Sequence, residues 1–198
     1  MIGSTNLPLP EADAATTASV KDWLTRFAAC VREVDYASAY PFWHDAIVIF
    51  GTYQELVRSR QVWTDTQWDN VWPRTADFTF DLANTLVLAS PDGGMAVAVT
   101  PWNSTGFHQD GTPFPRPGRA TIVLAKQRDG RWVGVHSHMS LQRGVPQDSH
   151  GKRPVSESGT LCYVGGVQGR GARCRRAFML PTLGRRYRER KRSAARAC

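Results

Sequence analysis

Two histidines, His136 and His138, lie two residues apart in the segment RWVGVHSHMSLQ at positions 131–142. Imidazole transfers protons near neutral pH and binds metal ions, so the pair permits three interpretations: catalysis, a metal site, or a structural or interface role. A metal site would need a third ligand, and neither His44 nor His108 has a spacing that places it beside the pair. We therefore predict no metal and no cofactor, and we favour the structural or interface role.

The segment around the histidines alternates like a β-strand, in which every second side chain lies on one face. The more apolar face is expected to contact the helices and any pocket, and it consists of Val133, Val135, Ser137, Met139 and Leu141. The other face is expected to point outward, and it carries Trp132, Gly134, His136, His138, Ser140 and Gln142.

Three residues are candidates for proton transfer. Asp45 precedes a predicted strand, where a cap or turn role is the favoured alternative. His108 has no predicted neighbours, and His136 would face the pocket only if the strand faces were shifted by one residue. Arg119 follows the Pro-rich loop PFPRPG and could hold a ligand carboxylate, although a surface ion pair is the favoured alternative.

The order of the predicted elements indicates an α+β fold. Residues 19–34 repeat apolar side chains at helical spacing, DAIVIFGT reads as a short strand, and residues 55–72 look helical until Pro73. After residue 75 the pattern changes to strands separated by Asp-Gly turns, of which RDGR at 128–131 is typical of a tight hairpin. Helices followed by an antiparallel meander predict a sheet with one face packed on the helices.

This order, with HDAIVIFGT after two helices and GRATIVLAKQRDGRWVGVHSHMS at the end, resembles the nuclear transport factor 2-like superfamily. The superfamily includes ketosteroid isomerases, SnoaL-like polyketide cyclases and the association domain of calcium/calmodulin-dependent kinase II. The resemblance covers residues 18–148 and implies a cone-shaped, curved antiparallel sheet wrapped around a long helix. It also implies a pocket and a homodimer formed through the outer sheet face.

The resemblance does not extend to the isomerase reaction, which needs a carboxylate base and an oxyanion hole made by a Tyr and a neutral Asp. The base position falls at Phe50, and no Asp or Glu lies between Ile47 and Thr52. The Tyr position falls at Phe27, and the neutral Asp falls between Thr121 and Val123. We therefore do not expect a ketosteroid isomerase, whereas lyase, cyclase or hydratase chemistry stays open.

The predicted pocket is mainly apolar and aromatic, which suits a hydrophobic or aromatic small molecule but equally suits a filled core. Its expected lining is Phe27, Tyr40, Phe50, Trp63, Asn103, Thr121, Val123, Val135, Ser137 and Met139. If the dimer of the superfamily forms, its expected interface residues are Trp132, His136, His138 and Ser140. Two functions thus compete, a small-molecule-binding domain and a non-enzymatic homo-oligomeric assembly module.

The net charge of +8 is unevenly distributed along the 198 residues. Residues 1–150 hold 12 basic and 15 acidic residues, which gives a net charge of −3, whereas residues 151–198 hold 13 basic and 2 acidic residues, which gives +11. We predict a flexible leader at 1–17, a domain at 18–148 and a disordered Arg/Gly-rich tail at 149–198. Nucleic acid could bind only through this tail, which could also be inert or a non-native extension. Without a signal peptide or a long apolar run, we expect a cytoplasmic protein that does not contact a membrane.

Overall fold

The computed structural model describes residues 9–53 and 56–151. The predictions for residues 1–8 and for the basic tail from residue 152 onward lie outside these residues, and so does the nucleic-acid hypothesis. Among the helices that the structure describes, none is both long and apolar enough to cross a membrane.

The long helix α1 spans Ala14–Glu33 and begins earlier than the sequence suggests. Its N-cap is Asp13, whose carboxylate accepts a hydrogen bond from the Thr16 amide at 2.6 Å. Ser19, where the predicted helical segment started, instead accepts a hydrogen bond from the Trp132 indole at 2.9 Å. The helix ends at Val34, which adopts a left-handed conformation with φ 55°. One face of α1 is buried and consists of Val20, Trp23, Leu24, Phe27, Ala28 and Val31.

The chain between residues 36 and 74 contains several short helical segments. They are α2 at Tyr36–Ala39, a 3-10 turn at Tyr40–Phe42, α3 at Arg60–Trp63, a π-helical turn at Thr64–Trp68, α4 at Asp69–Val71 and a 3-10 turn at Trp72–Arg74. The predicted third helix is thus shorter than expected, because Leu56–Arg58 pairs with the preceding strand and Ser59 caps the helix that follows.

In the part of the chain that the structure describes, eight strands form one open sheet. They are β1 at Trp43–Phe50, β2 at Leu56–Arg58, β3 at Ala76–Phe80, β4 at Leu86–Ala89, β5 at Met95–Phe107, β6 at Pro113–Pro115, β7 at Gly118–Lys126 and β8 at Trp132–Leu141. The order is β2-β1-β8-β7-β5-β3, and β4 and β6 also pair with β5. The predicted α+β class is confirmed, but the sheet is mixed rather than purely antiparallel. The physical reason is that β1 lies beside β8 and runs parallel to it.

A bulge in β8 changes which residues face the core. His136 pairs with Val123, but Gly134 pairs with Leu124, so Val135 is an extra residue on its strand. The alternation therefore shifts by one position at Val135. The prediction that Trp132 lies on the outer face is wrong, because Trp132 lies before the bulge and packs in the core with only 8% of its surface exposed.

The core lies between α1 and the inner sheet face, and aromatic rings dominate it. Trp23, Phe27 and Trp43 meet with ring centroids 5.1–5.4 Å apart. Trp68 stacks on Trp72 at 4.2 Å. Such pairs add to the free energy of area burial, so this cluster fixes α1 and the helical turns against the sheet.

The chain beyond β8 folds back onto β5. The Ser149 hydroxyl accepts a hydrogen bond from the Phe107 amide at 2.9 Å, and the His150 amide donates to the Phe107 carbonyl at 2.8 Å. The hydroxyl of Ser149 also donates to the Arg74 carbonyl. The first residues of the predicted tail are therefore attached to the sheet, and we name residues 145–151 the return segment.

Candidate functional site

A narrow cavity lies between α1, the helical turns and the inner sheet face. Its wall is mostly aromatic or apolar, with a few polar side chains at one end. The lining residues are Phe27, Val31, Thr52, Trp63, Gln67, Val71, Trp72, Thr75, Phe78, Trp102, Ser104, Arg116 and Met139. Its free volume is about 40 Å³, which gives room for a few water molecules at most.

Arg116 is the cationic group of this cavity, and the sequence analysis missed it. It follows the three-residue strand β6, and its backbone pairs with Ser104 of β5 through an amide donated in each direction, at 2.8 and 3.2 Å. The Ser104 hydroxyl also donates to the Arg116 carbonyl at 3.1 Å. These bonds hold the side chain of Arg116 against the cavity, where only 4% of the residue is exposed.

The guanidinium of Arg116 has few partners. Its Nη2 approaches the Thr52 hydroxyl at 3.5 Å, and its Cζ lies 5.7 Å from the Trp102 ring centroid. Its Nε has no hydrogen-bond partner among the residues that the structure describes. No ion pair within residues 9–53 and 56–151 involves Arg116, although three pairs form elsewhere in these ranges.

Burial away from water lowers the pKa of Arg116 to about 10, and the negative charge of Asp148 partly opposes this shift. The guanidinium therefore remains a cation at neutral pH. Asp148 belongs to the return segment, which borders a second, smaller cavity of about 20 Å³ beside the first. Both cavities share Thr52, Val71, Thr75 and Arg116, so the return segment covers the polar end of the main cavity.

Gln67 narrows the cavity from the helical side. It lies in the π-helical turn, a type of irregularity that is often found at functional sites. Its Oε1 atom is buried and has no hydrogen-bond partner among the described residues. The amide lies against Gly51, where an added Cβ would be 1.6 Å from Oε1, so a larger residue at position 51 would displace the end of the Gln67 side chain.

The structure brings only some of the predicted pocket residues together. Phe27, Trp63 and Met139 line the cavity. Ser137 is fully buried on the same inner face but does not line the cavity, and its hydroxyl has no partner among the described residues. Tyr40 lies outside the cavity, where its hydroxyl donates to Gln61 Oε1 at 2.6 Å. The Arg60 guanidinium stacks on its ring, with Cζ 3.8 Å from the ring centroid.

Five further pocket predictions are misplaced. In each strand the residue next to the predicted one faces the core instead, such as Ile49 in β1 and Ile122 in β7. The residues that point outward instead are Phe50, Asn103, Thr121 and Val123, and Val135 occupies the bulge. The apolar character of both sheet faces explains the error, because alternation alone cannot identify the inner face when both faces are apolar.

His136, His138 and Ser140 lie on the outer face, as the spacing predicts. His136 Nδ1 donates to the Val48 carbonyl at 2.8 Å. The Phe50 ring lies beside both imidazoles, with centroid distances of 6.0 and 5.6 Å. The histidines therefore occupy a different face from the cavity.

The three candidates for proton transfer do not form one site. Asp45 is an exposed partner of Arg60, which also donates to the carbonyls of Tyr40 and Trp43. His108 lies at the turn after β5 and contacts the Phe114 ring at 4.7 Å. Within the described ranges, no three His, Cys, Asp or Glu side chains cluster as metal ligands would.

Comparison with known proteins identifies the relatives of this fold. Residues 20–143 match the family model of the SnoaL-like domain. A nuclear transport factor 2 (NTF2-like) superfamily protein from Salmonella enterica has a TM-score of 0.55 and 19% identity, and the match covers 66% of this chain and 93% of that chain. A ketosteroid isomerase-like protein from Erwinia carotovora has a TM-score of 0.56 and 12% identity over 66% and 98%.

The association domain of CaMKII from C. elegans has a TM-score of 0.50 and 15% identity, and it matches over 65% of this chain and 99% of that chain. At these identities the likeness shows the fold alone. No curated protein matches the sequence significantly.

Proposed function

Because the chain belongs to the SnoaL-like domain family, we propose that its inner cavity binds a hydrophobic, aromatic small molecule. The observation that carries the proposal is the aromatic wall, to which α1, the helical turns and the sheet each contribute. Five of the lining side chains are aromatic: Phe27, Trp63, Trp72, Phe78 and Trp102. A pocket that is mainly apolar with a few polar groups is the usual form of a small-molecule site.

The free volume of about 40 Å³ is smaller than the roughly 300–1,000 Å³ of ordinary ligand pockets. Binding therefore requires that lining side chains move. Met139 and Gln67 are suited to this, because both are unbranched side chains with three rotatable bonds. Because the Oε1 atom of Gln67 has no hydrogen-bond partner among the described residues, no such bond is lost when this side chain moves.

We propose binding rather than proton transfer as the role of this cavity. A lyase, cyclase or hydratase step would need a side chain that accepts or donates a proton. The polar groups of the described lining are hydroxyls, indole N–H groups, one amide and one guanidinium. These groups orient a ligand and stabilise negative charge, which suits a receptor or carrier function.

The test is calorimetric titration of the full chain with a neutral bicyclic aromatic, such as 2-naphthol or 2-naphthamide, together with tryptophan fluorescence. Trp63, Trp72 and Trp102 line the cavity and should report on an occupant. We expect Met139→Phe, which fills the cavity, to abolish binding. Val62→Phe, which adds the ring at an exposed position of α3 outside the cavity lining, should bind like the wild type. Equal binding by both variants would contradict the proposal.

We propose a second function, homodimerisation through the outer sheet face, because this face carries a continuous exposed row. Strand register places Leu56, Phe50, His138, Thr121, Val99 and Leu86 directly beside one another across six strands. Four of these six are large apolar side chains that are 37–44% exposed: Leu56, Phe50, Val99 and Leu86. Exposed apolar side chains grouped on one face typically mark an interaction surface. We name these six residues the outer-face row.

A further inference from the structure

The aromatic wall does not account for the charged group in the described lining of the cavity, the guanidinium of Arg116. It is buried together with Trp102, and its Nε has no hydrogen-bond partner among residues 9–53 and 56–151. Its single side-chain hydrogen bond in these ranges is the long contact of 3.5 Å with Thr52. Burying an ion without a partner is strongly unfavourable, so a cation in this position indicates a site that an anion completes.

The shape of the group indicates which anion. A guanidinium presents its N–H groups as a planar fork, which matches the two oxygens of a carboxylate. The Thr52 hydroxyl lies beside this fork and can donate to the same anion. The backbone pairing of Arg116 with Ser104 fixes the point from which the side chain extends, so the guanidinium stays beside the cavity before a ligand arrives.

The number of charges also limits the ligand. The described lining contains one cation, and it contains no second basic side chain. A monoanion would balance it, whereas a phosphate monoester, which carries nearly two charges at neutral pH, would leave a buried negative charge. Asp148 on the return segment acts on Arg116 electrostatically without forming an ion pair, so the inner N–H groups stay available.

We propose that the ligand of this cavity is an aromatic monocarboxylate, whose ring lies among the aromatic side chains and whose carboxylate pairs with Arg116 and Thr52. This inference rests on the proposed function, since it specifies the ligand of the same cavity. The sequence alone suggested Arg119 for this role. Arg119 lies exposed on the outer face, where its Nε donates to the Ser140 hydroxyl at 3.1 Å.

The experiment uses three probes with one ring system: 2-naphthoate, 2-naphthamide and 2-naphthyl phosphate, titrated calorimetrically into the full chain at neutral pH. We expect naphthoate to bind at least about tenfold more tightly than the other two probes, as charge-assisted hydrogen bonds allow. In Arg116→Met this preference should disappear while the affinity for naphthamide is kept. Arg119→Met is the matched control and should keep the preference.

The outcomes separate the two proposals. Equal binding of naphthoate and naphthamide by the wild type overturns the carboxylate inference and leaves the aromatic cavity in place. A preference for naphthoate that survives in Arg116→Met also overturns the inference. Binding of no probe overturns the proposed function itself. If Arg116→Met does not fold, Arg116→Gln replaces it, because the amide keeps a polar group without the charge.

Discussion

Arg116 is expected to destabilise the protein when no ligand is bound. Burial lowers its pKa to about 10, so the folded state disfavours the charged form relative to the unfolded chain. For a base with a lowered pKa, the destabilisation is fully present well below the folded-state value of about 10 and is relieved only as the pH rises through that value. We expect Arg116→Met to raise the free energy of unfolding by about 1–3 kcal/mol at neutral pH.

Urea unfolding measures this effect, and Arg119→Met is again the control. Arg119 is exposed, so its replacement should change the free energy of unfolding by no more than about 0.5 kcal/mol. A less stable Arg116→Met protein would mean that the contacts of the guanidinium with Trp102 and Thr52 outweigh its lost hydration. A variant that gains stability and loses the preference for naphthoate over naphthamide would identify a group retained for function.

Asp148 should oppose the binding of anions. Its carboxylate acts on the Arg116 guanidinium from the return segment, so it repels an incoming carboxylate at the same place. We expect Asp148→Asn to tighten naphthoate binding by up to about fivefold, as exposed charge pairs allow, and to leave naphthamide binding unchanged. Asp22→Asn, on the exposed side of α1, serves as the control for net charge. Equal tightening by both variants would indicate a general charge effect instead.

The residues of the site were only partly predictable from the sequence. Phe27, Trp63 and Met139 were found because aromatic and long apolar side chains follow helix and strand periodicity. Arg116 was missed because β6 has three residues and two of them are proline, which is too short for alternation to show. One signal was available: Phe114 and Arg116 are two residues apart, so a strand would place them on one face.

At the scale of elements, β8 shows where side-chain alternation no longer predicts which face of the sheet a residue occupies. Alternation assigns the correct face to His136, His138, Ser137 and Met139, which follow the bulge. It assigns the wrong face to Trp132, which precedes it. A bulge inserts one residue without changing composition, so both halves of the strand look regular in the sequence.

The same limit explains the remaining differences in the sheet. The Asp-Gly turn at RDGR predicts the β7–β8 hairpin, and Gly130 indeed adopts φ 83° there. The parallel pairing of β1 with β8 joins segments about 90 residues apart, and no local signal encodes it. Local patterns thus give the class and the hairpins, whereas long-range packing decides the strand order.

Gly134 is expected to be essential for the bulged strand. An added Cβ would lie 2.3 Å from Cε3 of Trp43, a ring at the centre of the aromatic cluster. We expect Gly134→Ala to lower the free energy of unfolding by about 1–3 kcal/mol, because the core must shift to admit a methyl group. Thermal or urea unfolding measures the loss.

Gly94→Ala is the matched control for this prediction. Gly94 lies in the turn before β5, where the nearest atoms to an added Cβ belong to the Asp92 carboxylate, at 3.2 Å. Its replacement should therefore change stability by less than about 0.5 kcal/mol. A Gly134→Ala protein as stable as the control would show that Trp43 can move, and that the bulge does not depend on glycine.

At the scale of the whole molecule, the two faces of the sheet have different tasks in our proposals. The inner face and the helices enclose the cavity with Arg116, and the outer face carries the row of exposed apolar side chains. The histidines belong to the outer face, so they would act in association and not in ligand chemistry. This separation predicts that variants of one face leave the function of the other unchanged.

Substitution in the outer-face row tests this separation. We expect the wild type to form a dimer in sedimentation velocity experiments. Phe50→Glu and Val99→Glu should each shift it to the monomer, because a carboxylate buried in an apolar interface without a partner is unfavourable. Val62→Glu is the matched control, since Val62 is 47% exposed but lies on α3. A wild type that stays monomeric as its concentration rises would contradict the dimer. Monomeric variants that still bind naphthamide with wild-type affinity would place the cavity function in the single chain, and lost binding would mean that the outer face supports the cavity.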